Sequence, residues 1–128
     1  MAMGRGNGIK VLLLTFLVMA WSNHSDASTS HTVGDSQGWG FSVSYNNWAD
    51  GHSFAAGDTL VFNYQQGMHN TVPVSLAGFR NCKASASELS KAQSSGNDKF
   101  TLKKGANYFL CSYQGHCSSG MKIQVNAN

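Results

Sequence analysis

Short runs of alternating apolar and polar residues recur beyond residue 30 and predict β-strands. In the stretch DTLVFNY, residues 58–64, Leu60 and Phe62 fall on one face, which is the period-two pattern of a half-buried strand. The stretch NTVPVSL, residues 70–76, alternates in the same way, and Pro73 within it indicates an edge strand or the first residues of a strand. Four further strand candidates are HTVGDSQGWGF, KFTLKKG, NYFLCSY and MKIQVNA.

Residues 83–97 lack this alternation and are rich in Ala, Ser, Lys and Glu. They predict one short surface helix, capped by Ser85 or Ser87 and ended by Gly96. Turn residues separate the strand candidates about every eight to twelve positions, which favours an all-β, Greek-key β-sandwich with one short surface helix. The aromatic residues assigned to its core are Trp39, Phe41, Trp48 and Phe54.

The first residues differ in character from the rest of the chain. Two cations precede the apolar run VLLLTFLVMAW at residues 11–21. A membrane-spanning helix needs roughly 20 apolar residues, so this run of eleven is too short for one. The small-x-small sequence ending at Ala27 is typical of a signal-peptidase site, which is favoured over a retained anchor. We therefore expect a signal peptide over residues 1–27 and one domain over 28–128.

The charge of residues 28–128 is mildly basic. Seven Lys and Arg residues face five Asp and Glu residues, a net charge of +2. The chain lacks the dense basic stripe with interleaved aromatics of a nucleic-acid binder, so that class is disfavoured. A weak attraction to acidic cell-wall polymers is the most that this charge predicts. With no lipid-anchor signal at its C-terminus, the product is expected to be a free monomer outside the cell.

Three cysteines in a secreted chain leave one without a partner, which requires an explanation. The useful bridges join Cys82 to either Cys111 or Cys117. Cys117 directly follows His116, so its side chain should point away from that imidazole and be available for Cys82. The prediction is therefore a Cys82–Cys117 disulfide and a free Cys111.

The sequence CSYQGHCSSGM, residues 111–121, spaces a thiol, an imidazole and a thioether five residues apart. Taken singly, His116 would be an exposed histidine and Met121 a core residue. Together with the unpaired Cys111, they instead indicate a metal site. The spacing does not fit structural zinc, and calcium would need several carboxylates.

One thiolate, two imidazoles and a weak axial thioether are the ligands of a blue-copper centre. A second imidazole is therefore required. His31, near the N-terminus, and His52, in a polar turn, are interpreted as solvated residues. His69 lies between two predicted strands, where its loop can face residues 111–121.

The chain resembles the phytocyanin family of plant blue copper proteins, most closely its plantacyanin or basic blue protein branch. The resemblance rests on TVGDSQGW, AGDTLVFNY, MHNTV, the position of Cys82 and NYFLCSYQGHCSSGMKIQV, and covers residues 28–128. It implies a cupredoxin fold and the Cys82–Cys117 disulfide. It also implies that Asn70 helps to hydrogen-bond the thiolate. The copper ligands that it implies are His69, Cys111, His116 and Met121.

The leading hypothesis is a secreted one-electron carrier with one type-1 copper and no substrate turnover. Its redox partner, a protein or a small reductant, is not identified by the sequence. His69 is expected to be the more buried imidazole and His116 the one that reaches the surface. The alternative is a signalling or adhesion protein of plant reproductive tissue or cell wall, in which copper is mainly structural. A copper oxidase is disfavoured because the histidines suffice for only one closed site.

Overall fold

A computed structural model describes residues 27–128 of the chain. The apolar run at 11–21, and with it most of the predicted signal peptide, lies outside the described residues. The signal peptide therefore stays a prediction.

Within residues 27–128, six strands fall where the sequence pattern predicts them. They are β1 (Ser30–Thr32), β2 (Thr59–Asn63), β3 (Val72–Val74), β4 (Asn97–Thr101), β5 (Gly105–Leu110) and β6 (Lys122–Ala127).

The strands form two three-stranded sheets. In the first sheet, β2 pairs in parallel with β1 and antiparallel with β4. In the second sheet, β5 is the central strand and pairs antiparallel with β3 and β6. The strand that contains Pro73 is thus an edge strand, as predicted.

The two sheets bury a shared apolar core between them. Leu60 and Phe62 of β2 belong to the same buried cluster as Phe109 of β5 and Ile123 of β6. The rings of Phe62 and Phe109 meet across the two sheets, with centroids 5.3 Å apart. The predicted β-sandwich is therefore confirmed.

The predicted surface helix is present as Ala86–Leu89, and two further short helices in the described part of the chain were not predicted. Ser85 caps the predicted helix by accepting from the backbone N–H of Glu88, and Glu88 completes a capping box. The helix ends at Leu89, well before Gly96. In chain order, the helices are α1 (Tyr45–Asp50), α2 (Leu76–Asn81) and α3 (Ala86–Leu89), with a 3₁₀ turn at Asp35–Gln37.

The register of the second sheet brings three loops together at one end of its strands. Val72 at the start of β3 pairs with Leu110 at the end of β5, and Leu110 pairs with Lys122 at the start of β6. The residues just outside these pairs must therefore lie together. These residues include Asn70, Cys111 and Met121.

Candidate metal centre

The structure brings two of the predicted histidines and the free cysteine into one cluster. The ligand atoms of His69, Cys111 and His116 all lie within 4.8 Å of one another. Among residues 27–128 this is the one group of three or more His, Cys, Asp or Glu residues so arranged. His31 and His52 do not belong to it.

The three side chains face a common point. Nδ1 of His69 lies 3.0 Å from Nδ1 of His116, and Sγ of Cys111 lies 3.5 Å from the same His116 atom. Transition-metal bonds to nitrogen and sulfur are about 2.0–2.3 Å long, so one ion can reach both members of either pair. A donor set of two imidazoles and one thiol, without a carboxylate, suits copper and not magnesium or calcium.

Met121 is fully buried beside this cluster. Its carbonyl accepts a hydrogen bond from the backbone N–H of Cys111 at 3.0 Å, and its own N–H donates to the carbonyl of His116 at 3.1 Å. The backbone thus holds the thioether residue next to both predicted ligands. Ligation by its sulfur stays a prediction.

Cys82 and Cys117 form the predicted disulfide, with Cα atoms 5.6 Å apart. Cys111 is free and buried. Cys117 packs with Val72 and Leu110 in a second apolar cluster, beside the edge of the sheet where Cys111 lies. The bridge therefore anchors the turn that carries His116.

Asn70 links the loops that carry His69 and Cys111. Its side-chain amide donates to Oγ of Ser112 at 2.8 Å, and its Oδ1 accepts from the backbone N–H of Ser112 at 2.8 Å. Its carbonyl accepts from the indole of Trp39 at 3.0 Å. Burial raises the pKa of the Cys111 thiol, and the backbone N–H of Asn70 opposes this rise. The predicted contribution of Asn70 to the thiolate stays a prediction.

Burial controls the protonation of the site. It raises the pKa of the Cys111 thiol above its ordinary value, against the smaller lowering by the backbone N–H groups of Asn70 and Tyr113. Burial, and secondarily the charge of His116, lowers the pKa of His69. Without a metal the site therefore favours a neutral thiol and a neutral His69 imidazole. Because metals bind the thiolate, metal binding would release a proton from Cys111.

The two imidazoles differ in exposure, as expected from the sequence. His69 is 7% exposed, whereas His116 is only half-buried. Phe41, assigned to the core from the sequence, is 56% exposed and packs edge-on against both rings. Its ring centroid lies 4.8 Å from that of His116 and 5.5 Å from that of His69. Phe41 is therefore a surface residue that packs on the site, and its assignment to the core is wrong.

His31 also departs from its prediction as a solvated residue. Its Nε2 lies 2.9 Å from Oδ2 of Asp58, and its ring packs against Phe54 at 4.7 Å. The parallel pairing of β1 with β2 creates this contact. His52 is exposed, and its Nδ1 lies 2.6 Å from the carbonyl of Trp48.

Comparison with known proteins agrees with this site. The plastocyanin-like domain family matches residues 39–121. The chain is 41% identical to the chemocyanin of Lilium longiflorum over 99% of both chains. It superposes on the cucumber basic protein, a blue copper protein, with a TM-score of 0.71 and 46% identity, over 77% of this chain and 99% of that one. For spinach plantacyanin the TM-score is 0.61 and the identity 48%, over 71% of this chain and 94% of that one.

A cupredoxin sandwich with a His–Cys–His cluster at one edge defines the class as a blue copper domain. The chain belongs to the phytocyanin family of blue copper proteins. Its cofactor is copper, with one type-1 site per chain. None of the helices formed by residues 27–128 could span a membrane.

Proposed function

We propose that this protein is a secreted one-electron carrier whose copper ligands are His69, Cys111, His116 and Met121. The observation that carries the proposal is the convergence of two imidazole nitrogens and one buried thiol at one edge of the sandwich. Bound copper supplies the one-electron Cu(I)/Cu(II) couple.

The chain's own contribution is a rigid, asymmetric frame. Burial of His69 and Cys111 keeps water from the donor atoms, whereas His116 lies half-buried at the surface. We infer that electrons enter and leave through the His116 edge, beside the exposed ring of Phe41. The backbone bonds between Met121 and both Cys111 and His116 hold these residues in place when the charge of the site changes.

The proposal extends to location and partner. We propose that residues 1–27 are removed as a signal peptide and that the domain over residues 28–128 acts outside the cell as a monomer. Its redox partner is a protein or small reductant still to be identified. In residues 27–128, no Lys or Arg forms an ion pair with a carboxylate, which supports a weak attraction to acidic cell-wall polymers.

The test is spectroscopic. Purified protein loaded with Cu(II) should show intense visible thiolate-to-copper absorption and a reversible one-electron wave. Cys111→Ser should abolish the visible band, and His69→Ala should weaken it strongly. His52→Ala is the matched control, since His52 is outside the cluster, and it should leave the band unchanged. A copper-loaded but colourless wild-type protein would contradict the proposal, and biological activity retained by a folded, copper-free His116→Ala variant would favour the signalling alternative.

A further inference from the structure

Asp98 is a fully buried carboxylate that the copper site as described so far does not use. It lies in β4, in the first sheet, opposite Phe62 of β2. Among residues 27–128, the one ion pair is between His31 and Asp58, so Asp98 has no cationic partner there. A buried carboxylate without a counter-ion is costly unless hydrogen bonds replace its hydration.

Four hydrogen bonds satisfy this carboxylate. Oδ1 accepts from the backbone N–H and the hydroxyl of Ser95, at 2.9 and 2.6 Å. Oδ2 accepts from the hydroxyl of Tyr64 at 2.6 Å and from that of Thr71 at 2.9 Å. An ionised carboxylate can accept from all four of these groups at once. Asp98 therefore places a negative charge inside the sandwich.

The two residues bound to Oδ2 bracket the loop that carries His69. Tyr64 directly follows β2, five residues before His69, and Thr71 directly precedes β3, two residues after it. One carboxylate oxygen thus joins the beginning and the end of this loop. A contact that closes a short loop restricts every residue between its ends.

Tyr64 also touches the imidazole itself. Its ring packs edge-on against that of His69, with centroids 5.8 Å apart. Its hydroxyl is fixed by Asp98, so the position of this ring depends on the carboxylate. The path from Asp98 to His69 therefore has a backbone branch through Thr71 and a side-chain branch through Tyr64.

We propose that Asp98 is a positioning residue for the copper site, which fixes the His69 imidazole by clamping both ends of its loop and lowers the reduction potential through its buried negative charge. The second part rests on the proposed copper ligation by His69. The first part concerns the orientation of His69 and can be measured in the copper-free protein.

The main variant is Asp98→Asn, which keeps the shape of the side chain and removes its charge. In copper-free protein, we expect the His69 ring resonances to shift and broaden in NMR spectra. In copper-loaded protein, we expect a higher reduction potential, because removing a buried negative charge favours the less charged Cu(I). At a fixed applied potential, the ratio of Cu(I) to Cu(II) should rise several-fold.

Tyr64→Phe and Ser95→Ala separate positioning from general destabilisation. Tyr64→Phe keeps the ring and the charge of Asp98 but removes one bond to Oδ2, so it should shift the His69 resonances with little change in potential. Ser95→Ala removes a bond to the opposite oxygen, so it should lower the melting temperature and leave the His69 resonances and the potential unchanged.

Two results would overturn the proposal. One is a wild-type His69 spectrum in both Asp98→Asn and Tyr64→Phe. The other is a shift of the His69 resonances in Ser95→Ala as large as that in Tyr64→Phe. Asp98 would then stabilise the fold without a specific effect on His69. If Asp98→Asn does not fold, the contrast between Tyr64→Phe and Ser95→Ala decides alone. If copper does not bind even the wild-type protein, the proposed function fails, and the NMR contrast still tests the clamp.

Discussion

The two histidines of the site lie on loops that are held in different ways. The loop at 111–121, which carries His116, is stabilised by its own backbone: N–H groups of Cys111, His116 and Met121 all bond to carbonyls within the same eleven residues. The loop at 64–71, which carries His69, has one such bond, from the N–H of Met68 to the carbonyl of Gln65, and its ends are held by residues distant in sequence. These residues are Trp39, which bonds the carbonyl of Asn70, Gln93, whose backbone pairs with that of Thr71, and Asp98.

One loop of the site is therefore stabilised mainly by local contacts and the other mainly by long-range contacts. A turn held by its own backbone can form with few distant contacts, whereas the His69 loop needs β4 and the segment before it to be in place. Local contacts form at a lower entropic cost than contacts that close long stretches of chain. The loop at 111–121 should therefore be the more robust one, and its main long-range support is the disulfide to Cys82.

The largest effect should come from removing that disulfide. In a Cys82→Ala/Cys117→Ala variant, loss of the bridge across 35 residues should lower the free energy of unfolding by roughly 3–4 kcal/mol. Urea denaturation of copper-free protein measures this change. Hydrogen exchange should show faster opening of the loop at 111–121 than of the loop at 64–71. Equal acceleration in both loops would mean that the disulfide supports the whole site and not the loop at 111–121 in particular.

A smaller effect should come from cutting the link between the loops. Asn70→Ala removes both hydrogen bonds to Ser112 and leaves the backbone N–H of Ser112 without this partner. We expect a loss of about 1–3 kcal/mol in the free energy of unfolding and weaker copper binding, measured by denaturation and by competition with a chelator. Asn107→Ala is the matched control. The side chain of Asn107 also bonds backbone groups, those of Lys103 in the turn before β5, outside both loops. If both variants bound copper equally, Asn70 would have no particular role in joining the loops.

The same distinction explains what could be predicted from sequence. The strands, the disulfide and the proximity of Cys111 to His116 were predicted correctly, because a period-two pattern and a five-residue spacing are local signals. In contrast, α1 and α2 were missed, since six residues contain too few turns to show a helical period. The ligation by Met121 remains a prediction from spacing and resemblance.

The residues that were wrongly assigned or missed depend on tertiary contacts. Phe41 has a large apolar side chain, which is typical of a core residue. Only the position of the two imidazoles explains its exposure. His31 appeared solvated because its partner Asp58 is 27 residues away in the chain. Asp98 carried no signal at all, since a lone carboxylate in an alternating strand is typical of a solvated face.

The smallest effect concerns a region that belongs to neither ligand loop. Asp58 lies just before β2, at the opposite end of that strand from Tyr64. Hydrogen bonds from His31 and from the backbone N–H groups of Ala55 and Thr29 lower the pKa of Asp58 from 3.8 to about 2. The stabilisation by the ionised carboxylate is therefore complete above pH 3.8 and is lost as the pH falls through about 2.

Asp58→Asn should remove this acid-dependent contribution. The difference in unfolding free energy between wild type and variant should be constant from neutral pH down to pH 3.8 and should shrink between pH 3.8 and about 2. Denaturation of copper-free protein across this range measures it, with Asp35→Asn, an exposed carboxylate outside the pair, as the control. Because Asp58 contacts neither loop, the His69 and His116 resonances should be unchanged at neutral pH. A shift of the His69 resonances in this variant would mean that β2 transmits strain along its length, and the His69 loop would then depend on the whole first sheet and not on the clamp at its end alone.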